Sequence, residues 1–332
     1  MRFVFVSNAD SGDVHVLSLS PQGVLEPSSI LTLGGSLMPM VLSPDQSHLY
    51  VARRSEPMAI LTLAVDQGKG RLSLKGECPL EASLAYLSLD AQGKHLFGAS
   101  YQHDAVFIHP INSDGTVAPP HQVLPTGRHA HSVALDRQNR YLFAAVLGSD
   151  ELLQWPWVSA SGTVETSECR AWPSPSGSGP RHFRMHPNGQ VLYLLHELDA
   201  HIGVYRFNSQ LTQLQLTQSV PTLPATSSAK PWASELHVTR NGKFLYSSER
   251  GSHTLAVFAI DSQTYQLQLV EHVLTESQPR GFCLSPDDKF LLVAGQTSNH
   301  VSCYSIDPDT GCLRLLQRTP VGTNPNWIEI TL

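Results

Sequence analysis

"LSPDQSHLY", residues 42–50, reads as the end of one strand, a polar turn and the start of a second strand that carries an aromatic residue. The phrase returns as "LDAQGKHLF" (89–97), "LDRQNRYLF" (135–143), "MHPNGQVLY" (185–193), "VTRNGKFLY" (238–246) and "LSPDDKFLL" (284–292). Their last residues lie 47, 46, 50, 53 and 46 positions apart, and 47 positions before Tyr50 stands Phe3, inside "RFVFVSN". That makes seven phased units.

Each unit continues with a polar loop, a third strand ("AILTLAV", "AVFIHPI", "IGVYRF", "TLAVFAI", "VSCYSI") and a weaker fourth. Apolar residues alternate or run on for five to seven positions, which is strand periodicity and not the three-to-four spacing of a helix. Four strands at such a period form a propeller blade. The C-terminal "NWIEITL" matches the first strand of a unit and "RFVFVSN" the second. One blade is therefore expected to be built from both ends of the chain, closing the ring and removing exposed edges. The expected fold is all-β: a seven-bladed β-propeller of four-stranded antiparallel blades, with residues 1–332 as one domain.

Composition agrees. Charged residues are 15%, and Gly and Pro occur 23 times each, which suits short strands joined by turns. A net charge of −6 excludes a phosphate-backbone binder, so no nucleic-acid partner is expected. The five cysteines form no CxxC and read as reduced thiols. "MRFVFVSNAD" is too short an apolar run for a signal peptide, and no stretch has transmembrane length. A cytoplasmic protein without membrane contact or an obligate protein partner is the expectation.

Superposing the units shows which distant residues meet. In a propeller the first strand of each blade lines the channel, and the loop before it opens on the same face as the loop after the second strand. At the start of the first strand stand Met38, Ala85, His131, Arg181, Ser234, Arg280 and Asn326. One residue later come Pro39, Tyr86, Ser132, His182, Glu235, Gly281 and Trp327. Four residues past the aromatic marker are Ser7, Arg54, Tyr101, Leu147, Glu197, Arg250 and Gln296. His131, Arg181, His182, Glu197, Glu235, Arg250, Arg280, Arg54 and Gln296 are thus expected at one mouth. Arginine's planar fork suits carboxylate or phosphate, so a small anionic ligand is indicated. A lesser role remains for the arginines, pairing with Glu197, Glu235 or Glu249 to staple blades. Arg184, His186, His237 and His253 have no such register and are read as structural.

Other chemistries fit poorly. His182 and His186 have the spacing of a helical zinc motif, but on a strand residues four apart are separated by roughly 13 Å. No HExxH, calcium loop, P-loop or dinucleotide fingerprint is present, and no metal or cofactor is expected. There is no G-x-S-x-G, and "SSAK" (227–230) lies in a Pro- and Ser-rich loop. A set of arginines, histidines and carboxylates can bind an anion, polarise a carbonyl and move a proton. A lactone is a suitable target, with Glu197 as the general base, His131 or else His182 as the alternate base or acid, and Arg181 and Arg250 facing the oxyanion or the substrate's own charge.

"SGPRHFRMHPNG" (178–189), "HELDAHIGVY" (196–205), "WASELHVTRNGKFLYSSER" (232–250), "SQPRGFCLSPDDKFLLVAGQ" (277–296) and "VGTNPNWIEI" (321–330) resemble the propeller-type 6-phosphogluconolactonases. This lactonase seven-bladed propeller family, also called cycloisomerase 2, includes fungal carboxy-muconate lactonising enzymes. The resemblance spans essentially the whole chain. It implies metal-independent hydrolysis of 6-phospho-D-glucono-1,5-lactone to 6-phosphogluconate in the oxidative pentose phosphate pathway. The His, two Arg and Glu implicated in the fungal relatives fall by motif on His131 of "HAHS", Arg181 of "GPRH", Glu197 of "HELD" and Arg250 of "SSER". The unit ending at Phe143 departs, offering only Leu147-Gly148 at the matching site. The competing readings are a lactonase or lactonising enzyme for non-phosphorylated or dicarboxylic substrates, and a non-catalytic interaction platform.

Overall fold

The computed structural model describes residues 1–208, 210 and 212–332. Among these residues the strands form seven sheets, arranged as blades around a channel. Blade 1 comprises Leu37–Leu42, His48–Arg53, Ala59–Val65 and Leu72–Pro79. Blades 2 to 6 begin with Tyr86–Leu89, Ala130–Leu135, Pro180–Met185, Ala233–Val238 and Pro279–Leu284. Blade 7 pairs Pro325–Ile330 with Arg2–Asn8, followed by Asp13–Leu19 and Leu25–Thr32. The first strands pack against one another in a closed ring, each touching the next, so the seventh returns to the first.

Burial explains the sequence grammar. Second strands such as Val191–His196 and Phe290–Gly295 are buried throughout, because neighbouring blades cover both faces. Fourth strands such as Leu214–Pro221 are largely exposed, which is why their apolar signal is weak. The turn of the repeated phrase is held by its second residue. Asp90 Oδ1 accepts the amide of Lys94 at 2.7 Å, and Ser285 Oγ accepts that of Phe290 at 2.9 Å. His186 occupies the same place in blade 4, where Nδ1 accepts the amide of Asn188 at 3.2 Å, a turn-holding role.

The aromatic markers join blades. The hydroxyls of Tyr50, Tyr193 and Tyr246 donate to the carbonyls of Gly115, Tyr265 and Gly311 in the following blade at 2.9, 3.0 and 2.8 Å. Closure uses the pairs Val4–Ile330, Phe5–Glu329 and Val6–Ile328, with Phe3 N donating to Thr331 Oγ1 at 2.9 Å. Blade 3 departs from the four-stranded pattern. A longer connection lets both Thr163–Val164 and Arg170–Pro173 pair with Glu151–Val158.

Candidate active site

The first strand of a blade does not run straight into its partner. In blade 4 Pro180 pairs with His196 and His182 with Leu195, leaving Arg181 as the extra residue of a bulge. His131 is the extra residue in blade 3 and Arg280 in blade 6. A bulge bends the strand and re-aims one side chain. The chain is prepared for it two residues earlier, where Gly179, His129 and Gln278 have φ of 67°, 66° and 51°. Gly179 is required there on a second count, since a Cβ would stand 2.7 Å from Leu198 Cγ. This is why "GPRH" opens an apolar strand.

The mouth is a cavity of about 290 Å³ lined by Arg54, Tyr101, His131, Glu197, Trp232, Arg250 and Arg280, with Ala85. Glu197 organises one side. Its Oε2 accepts from Arg181 Nε at 2.7 Å and lies 3.1 Å from an Arg250 nitrogen, while Oε1 accepts from Trp232 Nε1 at 3.2 Å. The Arg250 guanidinium stacks 4.0 Å above the Trp232 ring and donates to the carbonyls of Trp232 and Ala233. Arg181 is 2% exposed and sits behind Glu197, with one nitrogen bonded to the Ser234 carbonyl. That nitrogen rests 3.1 and 3.3 Å from the two ring nitrogens of His182.

Electrostatics divide the groups. Burial would raise the Glu197 carboxyl, but Arg181 and Arg250 overcome it and hold the group below its ordinary value. Burial, then Arg181, bring the Arg250 guanidinium down to about 9, still charged at neutral pH. Burial and the nearby guanidiniums, Arg181 first, push the His131 imidazole well below its usual range. It is therefore a neutral base at pH 7. Its Nδ1 is buried with no hydrogen-bond partner among the described residues. Arg280 is driven down by burial and then by Arg181, Arg250 and Arg54.

Not every expected residue reaches the mouth. His182 lies one layer deeper, 1% exposed, edge-on to Tyr86 and near Trp327, with ring centroids 5.0 and 6.2 Å away. Its Nδ1–H donates to Glu235 Oε1 at 3.0 Å. Glu235 faces away from the mouth, bonding Arg184 at 3.3 Å, and lines a cavity of about 490 Å³ at the channel's other end. Gln296 is also outside the lining; its amide donates to Asn324 Oδ1 at 2.9 Å. Arg184 and His237 belong to the far cavity, where Arg184 donates to Tyr86 Oη at 2.7 Å. Trp232 was missed by register reasoning. Its main chain holds the register of Ser36, His129, Gly179 and Gln278 in other blades, and the signal for it was an aromatic residue in the loop before a bulged strand.

Among the described residues no three His, Cys, Asp or Glu side chains are grouped to hold a metal ion. No helix among them is long and apolar enough to cross a membrane.

The chain is 36% identical over 329 residues to the 6-phosphogluconolactonase of Xenorhabdus nematophila, covering 99% of this chain and 98% of that one. It is 36% identical over 327 residues to the 6-phosphogluconolactonase of Yersinia pestis, covering 98% and 97%. Among solved structures, the periplasmic gluconolactonase of Pseudomonas aeruginosa superposes with a TM-score of 0.91 at 26% identity, covering 100% of this chain and 99% of that one. The signature described as "Lactonase, 7-bladed beta-propeller" matches residues 3–330. The chain belongs to the lactonase seven-bladed β-propeller family.

Proposed function

We propose that this protein is an ester hydrolase that opens 6-phospho-D-glucono-1,5-lactone to 6-phosphogluconate, the lactone-hydrolysis step of the pentose phosphate pathway. The observation that carries the reading is the charge at the mouth. Around one small cavity in a protein of net charge −6, Arg54, Arg181, Arg250 and Arg280 are set against the carboxylate of Glu197. Glu249 is turned away, accepting from the amides of Trp232 and Ser252. Such a surplus of positive charge, withdrawn from water, favours a multiply charged anion. The full-length relatives named 6-phosphogluconolactonase support the same substrate.

The roles follow from which groups are free. Both oxygens of Glu197 already accept hydrogen bonds, so its part is to fix Arg181 and Arg250. His131 lines the cavity as a neutral imidazole and is the base. A water oxygen adds to the lactone carbonyl carbon as its proton passes to His131, and the carbonyl oxygen becomes an oxyanion held by Arg250. The ring C–O bond then breaks, and the imidazolium returns the proton to the leaving ring oxygen. The new carboxylic acid loses its own proton to solvent.

A cytoplasmic location fits the proposal. None of the five cysteines is in a disulfide, and burial pushes the thiols of Cys283 and Cys303 up, Cys303 to about 12.

Following lactone loss with freshly generated 6-phosphogluconolactone tests the function. Turnover above spontaneous hydrolysis, undiminished by a chelator, is expected. No acceleration overturns it, and activity on unphosphorylated gluconolactone alone transfers the assignment to that substrate class.

A further inference from the structure

The mouth has two unlike arcs. Blades 3 to 5 supply His131, Glu197 and Arg250, with Arg181 behind Glu197, and the charged groups there are paired with one another. Across from them, blades 6 and 1 supply Arg280 and Arg54. The Arg280 guanidinium has no hydrogen bond and no ion pair among the described residues; only its main-chain carbonyl is engaged, by Ser234 Oγ at 2.7 Å. Arg54 has neutral partners alone, Ser83 Oγ at 2.8 Å and Met38 Sδ at 3.5 Å. Between the two blades, Asn326 is turned back onto its own surroundings, its amide donating to the Asn324 carbonyl at 2.9 Å. Two guanidiniums thus face the cavity outside any ion pair, Glu197 reaching Arg280 only at longer range, and burial lowers both from their ordinary values.

We infer that Arg280 and Arg54 form a phosphate subsite opposite the ester-cleaving arc, and that Arg280 selects phosphorylated over unphosphorylated lactones. The inference rests on the lactonase reading above. A ligand with a ring ester at one end and a phosphate at the other spans the two arcs, and a dianion matches two unpaired forks where a monoanion would need one. Leaving both guanidiniums without an ion-pair partner costs stability in the empty protein, and the phosphate oxygens relieve that cost on binding.

The test compares wild type with Arg280→Gln and Arg280→Lys on 6-phospho-D-glucono-1,5-lactone and on D-glucono-1,5-lactone, with inorganic phosphate as inhibitor. In Arg280→Gln the ratio of kcat/KM for the phosphorylated over the plain lactone falls at least about tenfold, mainly through KM. Inhibition by phosphate weakens in parallel, Arg280→Lys recovers part of the ratio, and Tm does not fall. An unchanged ratio overturns the inference, whether both activities drop together or neither does. If wild type hydrolyses neither lactone, the lactonase reading fails by itself. Calorimetry with inorganic phosphate then decides the subsite: binding that Arg280→Gln weakens at least about tenfold supports it, and equal or absent binding refutes it.

Discussion

At the scale of the residue, His131 shows how a neighbourhood sets a chemical role. An imidazole with an ordinary pKa would be partly protonated near neutrality, but burial and three guanidiniums keep this one neutral. Bound phosphate brings negative charge to the same cavity and weakens that field, so the pKa of His131 rises in the complex. A base must be unprotonated to act, so activity is lost as pH falls through its pKa. The acid limb of kcat, which reports the complex, therefore lies at higher pH than the acid limb of kcat/KM, which reports the free enzyme. Pairs of pH profiles measured on wild type check this, and coincident limbs contradict it. His131→Gln lowers kcat by about a hundredfold or more. The place of His131 at the mouth was legible from register. That Glu197 is already engaged was not, because only the structure shows Arg181, Arg250 and Trp232 occupying that carboxylate.

At the scale of the element, the bulge is the device that builds the site. A regular strand would send Arg181 and His182 to opposite faces of the sheet. The bulge at Arg181 instead turns this arginine toward Glu197 and leaves His182 beneath it, against Glu235. Gly179 makes the turn possible at φ 67°. Gly179→Ala adds a Cβ 2.7 Å from Leu198 Cγ in a backbone conformation that alanine disfavours. It is expected to lower Tm by roughly 1–3 °C, from a strain of about 1–2 kcal/mol, and kcat/KM by at least tenfold as Arg181 shifts. Melting curves and kinetics on the same preparation check both; an undiminished kcat/KM would show that the bulge does not need this glycine.

At the scale of the molecule, the channel keeps histidines out of water. His131, His182 and His237 are all shifted down, chiefly by burial, His237 to about 3. Below about pH 6.5 the unfolded chain takes up protons at these positions before the folded one does, so stability falls as pH falls. Each contributes up to about 1.4 kcal/mol per pH unit between that value and its folded pKa. Glu197, shifted down as well, adds loss in the same direction at lower pH. Tm is expected to drop steadily from pH 7 to 5, less steeply in His237→Phe, and a flat Tm across that range contradicts the account. The number of blades, their phase and the closure by terminal strands were all present in the chain's repeat, because strand periodicity and turn chemistry are local and recur seven times. Register also brought His131, Glu197, Arg250, Arg280 and Arg54 to one mouth. It misassigned the depth of His182 and Glu235 and passed over Trp232. Direction and pairing depend on bulges and on which side chain meets which across blades, and those contacts exist only once the ring has closed. The local repeat suffices for the propeller and for the face that carries charge, whereas the closed ring alone fixes which arginines have an ion-pair partner, which do not, and which histidine meets the cavity.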